Sequence, residues 1–581
     1  MVQKVIQAGK DLAVKLFISL KRFPEAIALA TAVVIIQIFL HHMDQSAAND
    51  TLRNILIRIA MVLALGFPLV LSLRLLGERL TSLKPLAKTA LYLGVAIGLV
   101  LYYFCWLKTL TMVPLSRYTA FTISCYLIFL IIPYCLKRDN FELYCVRLLT
   151  NFAITYFYAA VLYLGLAAIL FTISKLFMVQ IGRAYFDIWL IVAGIFGPAY
   201  FLADVPELRR EFQVSAYPKV LKVLLLYIVV PLLIAYAVIL YAYFAKIIIT
   251  RSWPEGIVAH LVLWYSLISS LVLFFIYPLR DVVKWIPRFL SLFPKMLLPL
   301  LAMMFVALGI RIQSYGITEN RYFVLLAGFW VTGIVLYYLF SKRIRNIALP
   351  ISLALIVALS VIGPWSSYSI SKLSQGKRFA AILKQYGMFQ GDSIVQPERP
   401  LPKTAKAEII SILSYFQRNH HLEDLKYLPP GFKLNQTEKL FGFKVAKDDL
   451  NQHRLESFFN YNFPDSQLVP IDGFDYFVAI PYSDLSQTGP GGVIRVTYKA
   501  ESGIFKVWNR EREVYSRNVA DLITTALDGA TQPEKTSLTF TDETEDLTVF
   551  YVCKNVSGEK NLVTEELKIN YLNFYAFIKF K

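Results

Sequence analysis

A few histidines, cysteines and polar residues set between apolar runs are the groups in this 581-residue chain that could do chemistry. His41 and His42, followed by Asp44, place two imidazoles and a carboxylate within four residues. Such a donor set can hold a transition-metal ion. Adjacent side chains on a helix point about 100° apart, however, so the pair reads as a polar cap at an interface. His420 and His421, with Glu423 and Asp424, close a soluble helix, where the dipole favours cationic or polar groups. His260 lies one turn into an apolar run. An ionisable group there is a functional candidate by default, but its shallow position reads as a hydrogen-bonded structural histidine. Cys105, Cys125, Cys135, Cys145 and Cys553 show no CxxC spacing, which supports neither a zinc ribbon nor a disulfide framework. They read as small apolar filler. No catalytic residue, metal or cofactor is assigned.

The most distinctive polar string runs from Arg311 to Tyr322 (RIQSYGITENRY), and Arg311, Tyr315, Glu319 and Arg321 are its candidate binding residues. Gly316 suits a left-handed position closing one helix. Thr318 suits the N-cap of the next helix, and Glu319 its positive first turn. Arg311 and Arg321 could both pair with Glu319. A tight helical hairpin accounts for the string; a polar site at the membrane face is the alternative.

The elements that position these residues are apolar. About 20 residues of helix cross a hydrocarbon core, and in lipid the backbone must satisfy its own hydrogen bonds. Eleven spans are expected, at about 24–42, 54–76, 86–107, 119–136, 149–174, 185–204, 218–245, 256–279, 289–313, 319–341 and 346–364. Arg58 interrupts the second. Gly66-Phe67-Pro68, Gly194, Gly197-Pro198, Pro231 and Pro299 mark points where a helix could break and free backbone groups for a ligand, though such kinks are commonly packing features. Asp187, Asp204, Lys222 and Arg311 fall near span ends, and no span carries a carboxylate at its middle. That argues against ion coupling through a buried acid.

The N-terminus and every second loop hold 23 Lys and Arg, against 10 in the opposite loops. Cytoplasmic loops carry this excess, so the N-terminus is expected inside and the C-terminus outside. Residues 1–365 hold 33 basic and 14 acidic side chains; residues 366–581 hold 26 of each. The net charge of +19 therefore sits in the membrane half, spread over six loops, and needs no nucleic-acid partner. Residues 1–23 repeat Val5, Ile6, Leu12, Leu16 and Leu20 at helical spacing, which predicts a cytoplasmic amphipathic segment at the interface. Ser46-Ala47-Ala48 offers a signal-cleavage alternative, but ten further spans favour an uncleaved first span.

Composition changes near Trp365, and residues 366–581 read as one extracytoplasmic α+β domain with an antiparallel sheet. Leu373, Phe379, Ile382 and Leu383 predict a first helix, and Ala405–His420 a second. Period-two patterns predict strands at Tyr476–Ile480, Val493–Tyr498, Ile504–Trp508, Thr536–Phe540, Leu547–Val552 and Leu567–Ile578, with a turn at Glu501-Ser502-Gly503 and a helix at Ser516–Leu527. The fold class is thus membrane all-α, a polytopic bundle of about 11 transmembrane helices over residues 24–365, followed by that α+β domain.

The string YGITENRY, followed by Phe323–Trp330, resembles the domain-of-unknown-function (DUF) 4153 family of bacterial multi-pass membrane proteins. A juxtamembrane helix at Lys372–Met388 fits the same pattern. The resemblance implies a bacterial cytoplasmic-membrane protein without an established activity, and it carries over no catalytic residues. The lipid bilayer is the expected environment, with an envelope protein or a lipid-linked molecule as partner. Envelope transport or the handling of a lipid-linked substrate is the leading expectation. A membrane-anchored sensor or assembly factor is the second. An intramembrane glycosyl- or acyltransferase is a third, weakened by the short first outer loop, His42–Arg53.

Overall fold

The computed structural model describes residues 2–43, 50–80, 84–135, 140–179, 181–206, 214–250, 257–390, 393–443, 456–463, 470–528, 539–561 and 567–581. Asp44, the Ser46–Ala48 run, Lys137, Arg138, Arg209, Arg210 and Arg251 lie outside them. Two compact units divide the chain, Met1–Arg378 and Phe379–Lys581.

The first unit is helical. An amphipathic α1, Val2–Arg22, precedes α2 (Pro24–His42), α3 (Asp50–Arg79), α4 (Pro85–Cys105), α5 (Met112–Ile131), α6 (Phe141–Phe177), α7 (Gly182–Ala203), α8 (Lys219–Thr250), α9 (Ile257–Ile276), α10 (Ile286–Tyr315) and α11 (Glu319–Phe340). Among the described residues, ten helices, α2 to α11, are long and apolar enough to cross a bilayer. The eleventh expected span holds a shorter helix, α12, Ala348–Leu359. Its twelve residues rise about 18 Å. Its flanks nonetheless meet opposite ends of the bundle. Before it, Asn346 is hydrogen-bonded to Glu142 at the start of α6 and to Tyr338 at the end of α11. After it, the carbonyl of Val361 accepts from Arg117 at the start of α5.

Contacts at helix ends sort into two sets. At the basic end, Arg22 pairs with Glu78 at 2.8 Å and donates to Val205, and Arg79 donates to Ile132 beyond α5. At the far end, His41 and His42 meet Asp187, and Arg58 donates to the carbonyl of Leu107. Arg58 therefore does not disqualify its span: it satisfies an orphan carbonyl beyond α4 and lies 4.3 Å from the Tyr103 ring.

At the points where a helix could break, the helices are continuous. Pro68, Pro294 and Pro299 sit inside unbroken helices. Pro198 and Pro231 each follow a wider π-turn, Val192–Phe196 and Leu224–Val229. A proline ring clashes with the carbonyl four residues back and offers that carbonyl no N–H, and a wider turn relieves both problems. Gly194 has a packing role: a Cβ there would stand 2.5 Å from Cγ2 of Val34. Its absence lets α7 approach α2.

On α1 the apolar stripe divides. Leu16 packs against the bundle core and Lys15 bonds Asp204 at 2.8 Å, while Phe17 and Leu20 are exposed.

A further helix, α13 (Ser367–Gln385), follows α12. It starts before the Lys372 expected and packs Tyr368 beside Ala120 and Val361. This places the division between units later than Trp365.

In the second unit, Phe379, Ile382, Leu383 and Met388 join α14 (Lys403–Asn419) and the short α15 (Thr437–Phe441) in one helical core with Ile409, Phe416 and Phe441. The short β1 (Phe389–Gln390) and β2 (Ser393–Ile394) pair beside it in sequence. A second core lies among strands. β3 (Glu456–Asn462) and β9 (Thr539–Glu543) both pair with β10 (Leu547–Asn561); β10 pairs with β11 (Leu567–Phe580), and β11 with β4 (Tyr476–Ile480). A separate antiparallel sheet runs β5 (Leu485–Thr488), β6 (Ile494–Lys499), β7 (Ile504–Asn509), β8 (Arg512–Asn518). The expected single sheet is thus two. Ile494, Val496 and Phe505 from one sheet and Val549, Tyr551 and Phe574 from the other share the core with Val519 and Ile523 of α16, Val519–Asp528.

Candidate functional site

The hairpin between α10 and α11 is the site singled out by sequence. Tyr315 ends α10, Glu319 begins α11, and Gly316, Ile317 and Thr318 make the turn. Gly316 has φ +68° and ψ 178°, an extended left-handed conformation rather than the expected αL one. It is essentially reserved for glycine. A Cβ there would also meet Nε2 of Gln375 at 2.9 Å and Oγ of Ser374 at 3.1 Å. Thr318 occupies the expected N-cap, but its side chain makes no capping bond.

The turn is held by α13. The Ile317 N–H donates to Ser374 Oγ at 2.8 Å, and Gln375 Nε2 donates to the carbonyls of Tyr315 and Ile317. Arg321 turns back and donates Nη1 to the carbonyls of Gly316, at 2.7 Å, and Tyr315, at 3.2 Å. These bonds satisfy carbonyls that a helix terminus leaves open. The Tyr315 ring lies 5.6 Å from the Arg321 guanidinium and 5.9 Å from that of Arg378, within cation–π range. Arg311 and Arg378 are near enough for their charges to act against that of Arg321. Glu319 is 6% exposed, and its charge reaches Tyr368. Tyr368 shares a 2.7 Å hydrogen bond with Ser116 and faces Arg117, which also lies over Trp106. Tyr322 donates to the carbonyl of Trp365.

The far end of the bundle therefore carries a collar of Arg117, Arg311, Arg321 and Arg378 with Tyr315, Tyr368 and Trp106. Of the four expected residues, Arg311, Tyr315 and Arg321 lie near one another, and the charge of Glu319 reaches Tyr368. Sequence reasoning missed Arg117, Tyr368, Gln375 and Arg378. Spacing could not find them, because they come from α5 and α13.

The other candidates separate. His420 shares a 3.1 Å hydrogen bond with the Tyr415 hydroxyl, and His421 caps the turn Leu422–Asp424, as structural residues do. His260 is half-buried one turn into α9. All five cysteines are free thiols. At the basic end a cavity of about 280 Å³ is lined by Arg74, Glu78, Lys88 and Tyr92 of α3 and α4. His41 and His42 gain a partner the sequence did not suggest: Asp187, at 3.0 and 2.8 Å.

Ten long apolar helices with few charged side chains, among the described residues, define a polytopic integral membrane protein. Residues 26–393, more than half of the chain, match the family described as "Domain of unknown function (DUF4153)", and the chain belongs to that family. It is also 25% identical over 262 residues to "Uncharacterized protein PM1469" of Pasteurella multocida (strain Pm70), an alignment covering 44% of each chain. The chain thus spans less than half the length of that curated relative. No solved structure matches it.

Proposed function

We propose that this protein handles an anionic lipid or lipid-linked substrate at the extracytoplasmic face of a bacterial cytoplasmic membrane. The observation that carries this reading is the far-end collar, in which the guanidiniums of Arg311, Arg321 and Arg378 gather near Tyr315. Arginine's planar fork suits phosphate oxygens, and cations near a membrane surface draw anionic headgroups. Tyr315, Tyr368 and Trp106 supply the amphipathic rings common at that depth. The 23-to-10 distribution of Lys and Arg supports this collar lying outside and the N-terminus inside. Residues 1–23 then form a cytoplasmic interfacial segment, and the second unit stands outside the membrane as its α+β domain.

The test is lipid retention. The full chain, purified in mild detergent, would be delipidated and mixed with equal amounts of phosphatidylglycerol and phosphatidylethanolamine. Native mass spectrometry should show preferential retention of the anionic lipid, lost in Arg311→Gln/Arg378→Gln. Equal retention of both lipids, or preference unchanged in the variant, would defeat the reading.

A second reading makes the protein a membrane-anchored sensor or assembly factor. It is favoured by the aromatic surface where Phe474, Phe477, Phe550, Tyr575 and Phe577 lie within 6.0 Å of one another, ring to neighbouring ring. Phe477 is the most exposed of them. Phe477→Ser should then impair the phenotype of the intact cell while leaving lipid retention unchanged.

A further inference from the structure

The geometry points to a divalent transition-metal site formed by Nδ1 of His41, Nε2 of His42 and the carboxylate of Asp187. It is independent of the arginine collar and of the lipid reading. The three ligand atoms lie within 4.8 Å of one another. His41 Nδ1 is 3.0 Å from one Asp187 oxygen and His42 Nε2 is 2.8 Å from the other.

Tetrahedral zinc bonds of about 2.0–2.1 Å to nitrogen and oxygen put neighbouring ligand atoms about 3.3 Å apart. Ligand atoms up to 4.8 Å apart would have to draw together by as much as about 1.5 Å to hold the ion, a movement that the half-exposed His42 side chain can supply by rotation.

Adjacent histidines can converge here because they use different nitrogens. Their side chains leave α2 in different directions, and the near nitrogen of one and the far nitrogen of the other reach the same carboxylate. The rings stand 69° apart with centroids 5.3 Å from each other. The helix pair that holds the donors is closely packed, since Gly194 lets α7 lie against Val34 of α2. Phe186 packs its ring against His41 at 4.7 Å and stacks on Trp189, which limits rotation of that imidazole. His42 is the more exposed histidine and gives the ion a way in.

Two imidazoles and one carboxylate suit zinc and its neighbours rather than magnesium or calcium, which prefer oxygen cages. Three protein ligands leave a position for water. The bound ion would pin the C-terminal end of α2 to the N-terminal end of α7. The plain alternative is an ion pair between Asp187 and protonated histidine, which needs no metal.

The experiment uses the full chain purified without a polyhistidine tag, stripped with chelator and kept in detergent. Loaded with Zn²⁺ and desalted, it should retain one ion per chain by elemental analysis. Loaded with Co²⁺, it should develop visible d–d absorption that stoichiometric Zn²⁺ removes. Changing outer partners of a metal ligand costs about 10–100-fold in affinity, so removing a ligand in His42→Gln or Asp187→Asn should weaken Zn²⁺ binding by at least that much. His260→Gln should leave binding unchanged. A wild-type chain that retains no Zn²⁺ and shows no cobalt absorption overturns the proposal, whatever the variants do. Undiminished retention in both ligand variants also overturns it.

Discussion

Gln375 donates its side-chain amide to two backbone carbonyls, that of Tyr315 at 2.9 Å and that of Ile317 at 3.1 Å. One side chain on α13 thereby closes the hairpin between α10 and α11, and it is 3% exposed. Leaving a buried polar group unpaired costs about 1–3 kcal/mol. Gln375→Leu strands the Ile317 carbonyl and leaves that of Tyr315 only its 3.2 Å bond from Arg321, so its expected cost lies within that range. Thermal denaturation in detergent should show a clearly lowered midpoint. An unchanged midpoint would mean that water or another group takes over both bonds.

Cys553 lies in β10 with no exposed surface, and burial pushes its thiol up to about 12. The raised value keeps it protonated, so at pH 8 about one thiol in ten thousand is thiolate, the reactive form. A water-soluble maleimide should leave Cys553 unmodified in the folded chain and modify it after denaturation. Peptide mass spectrometry reads the difference. Rapid labelling of the native protein would show that β10 opens readily.

The helical core of the second unit needs the end of α13. Phe379, Ile382 and Leu383 are buried there with Ile409, Phe416 and Phe441. Losing a single large core side chain costs about 2–5 kcal/mol, and cutting at residue 404 removes these three together with Met388 and Leu401. A fragment of residues 377–581 should melt cooperatively by circular dichroism. A fragment of residues 404–581 should keep its strand signal but lose cooperative helix melting. Equal melting of the two would show that residues 379–383 add nothing to that core.

Topology gives the fourth expectation. The charge split and the opposite attachments of Asn346 and Val361 favour an odd number of crossings. A reporter active only outside the cytoplasm, fused after Lys581, should be active, and a cytoplasm-only reporter silent. The reverse pattern would mean that α12 turns back without crossing.

The tyrosine network between the two sheets illustrates what local pattern cannot anticipate. The Tyr515 hydroxyl on β8 donates to Asp542 on β9 and shares a 2.8 Å bond with Tyr551 on β10, while Arg517 reaches Asp542 at 2.9 Å. Burial, together with the hydrogen bond to Asp542, pushes the Tyr515 hydroxyl well above its ordinary range. Strand β8 itself escaped notice, because the stretch REVYSRN, with mostly exposed side chains, shows little alternation of hydropathy; Arg512–Asn518 buries only Tyr515. Strand β10 runs well past Val552, where the expected strand stopped. Irregularities between Cys553 and Asn555 and between Ser557 and Gly558 shift its register, and each shift breaks the period-two pattern.

The sequence by itself determined the features that depend on neighbouring residues. Ten long apolar spans, their alternating basic ends, the hairpin at Tyr315–Glu319 and the turn at Gly503 all follow from local hydropathy, charge and backbone freedom. Only the tertiary structure decided which distant groups meet. Asp187 reaches His41 and His42 from the other side of four intervening helices in the chain, and Gln375 and Arg378 come to Tyr315 from α13. Helix packing sets these meetings through side-chain shape, as Gly194 against Val34 does. That information lies in the fit of two surfaces, and no spacing along one strand of sequence encodes it.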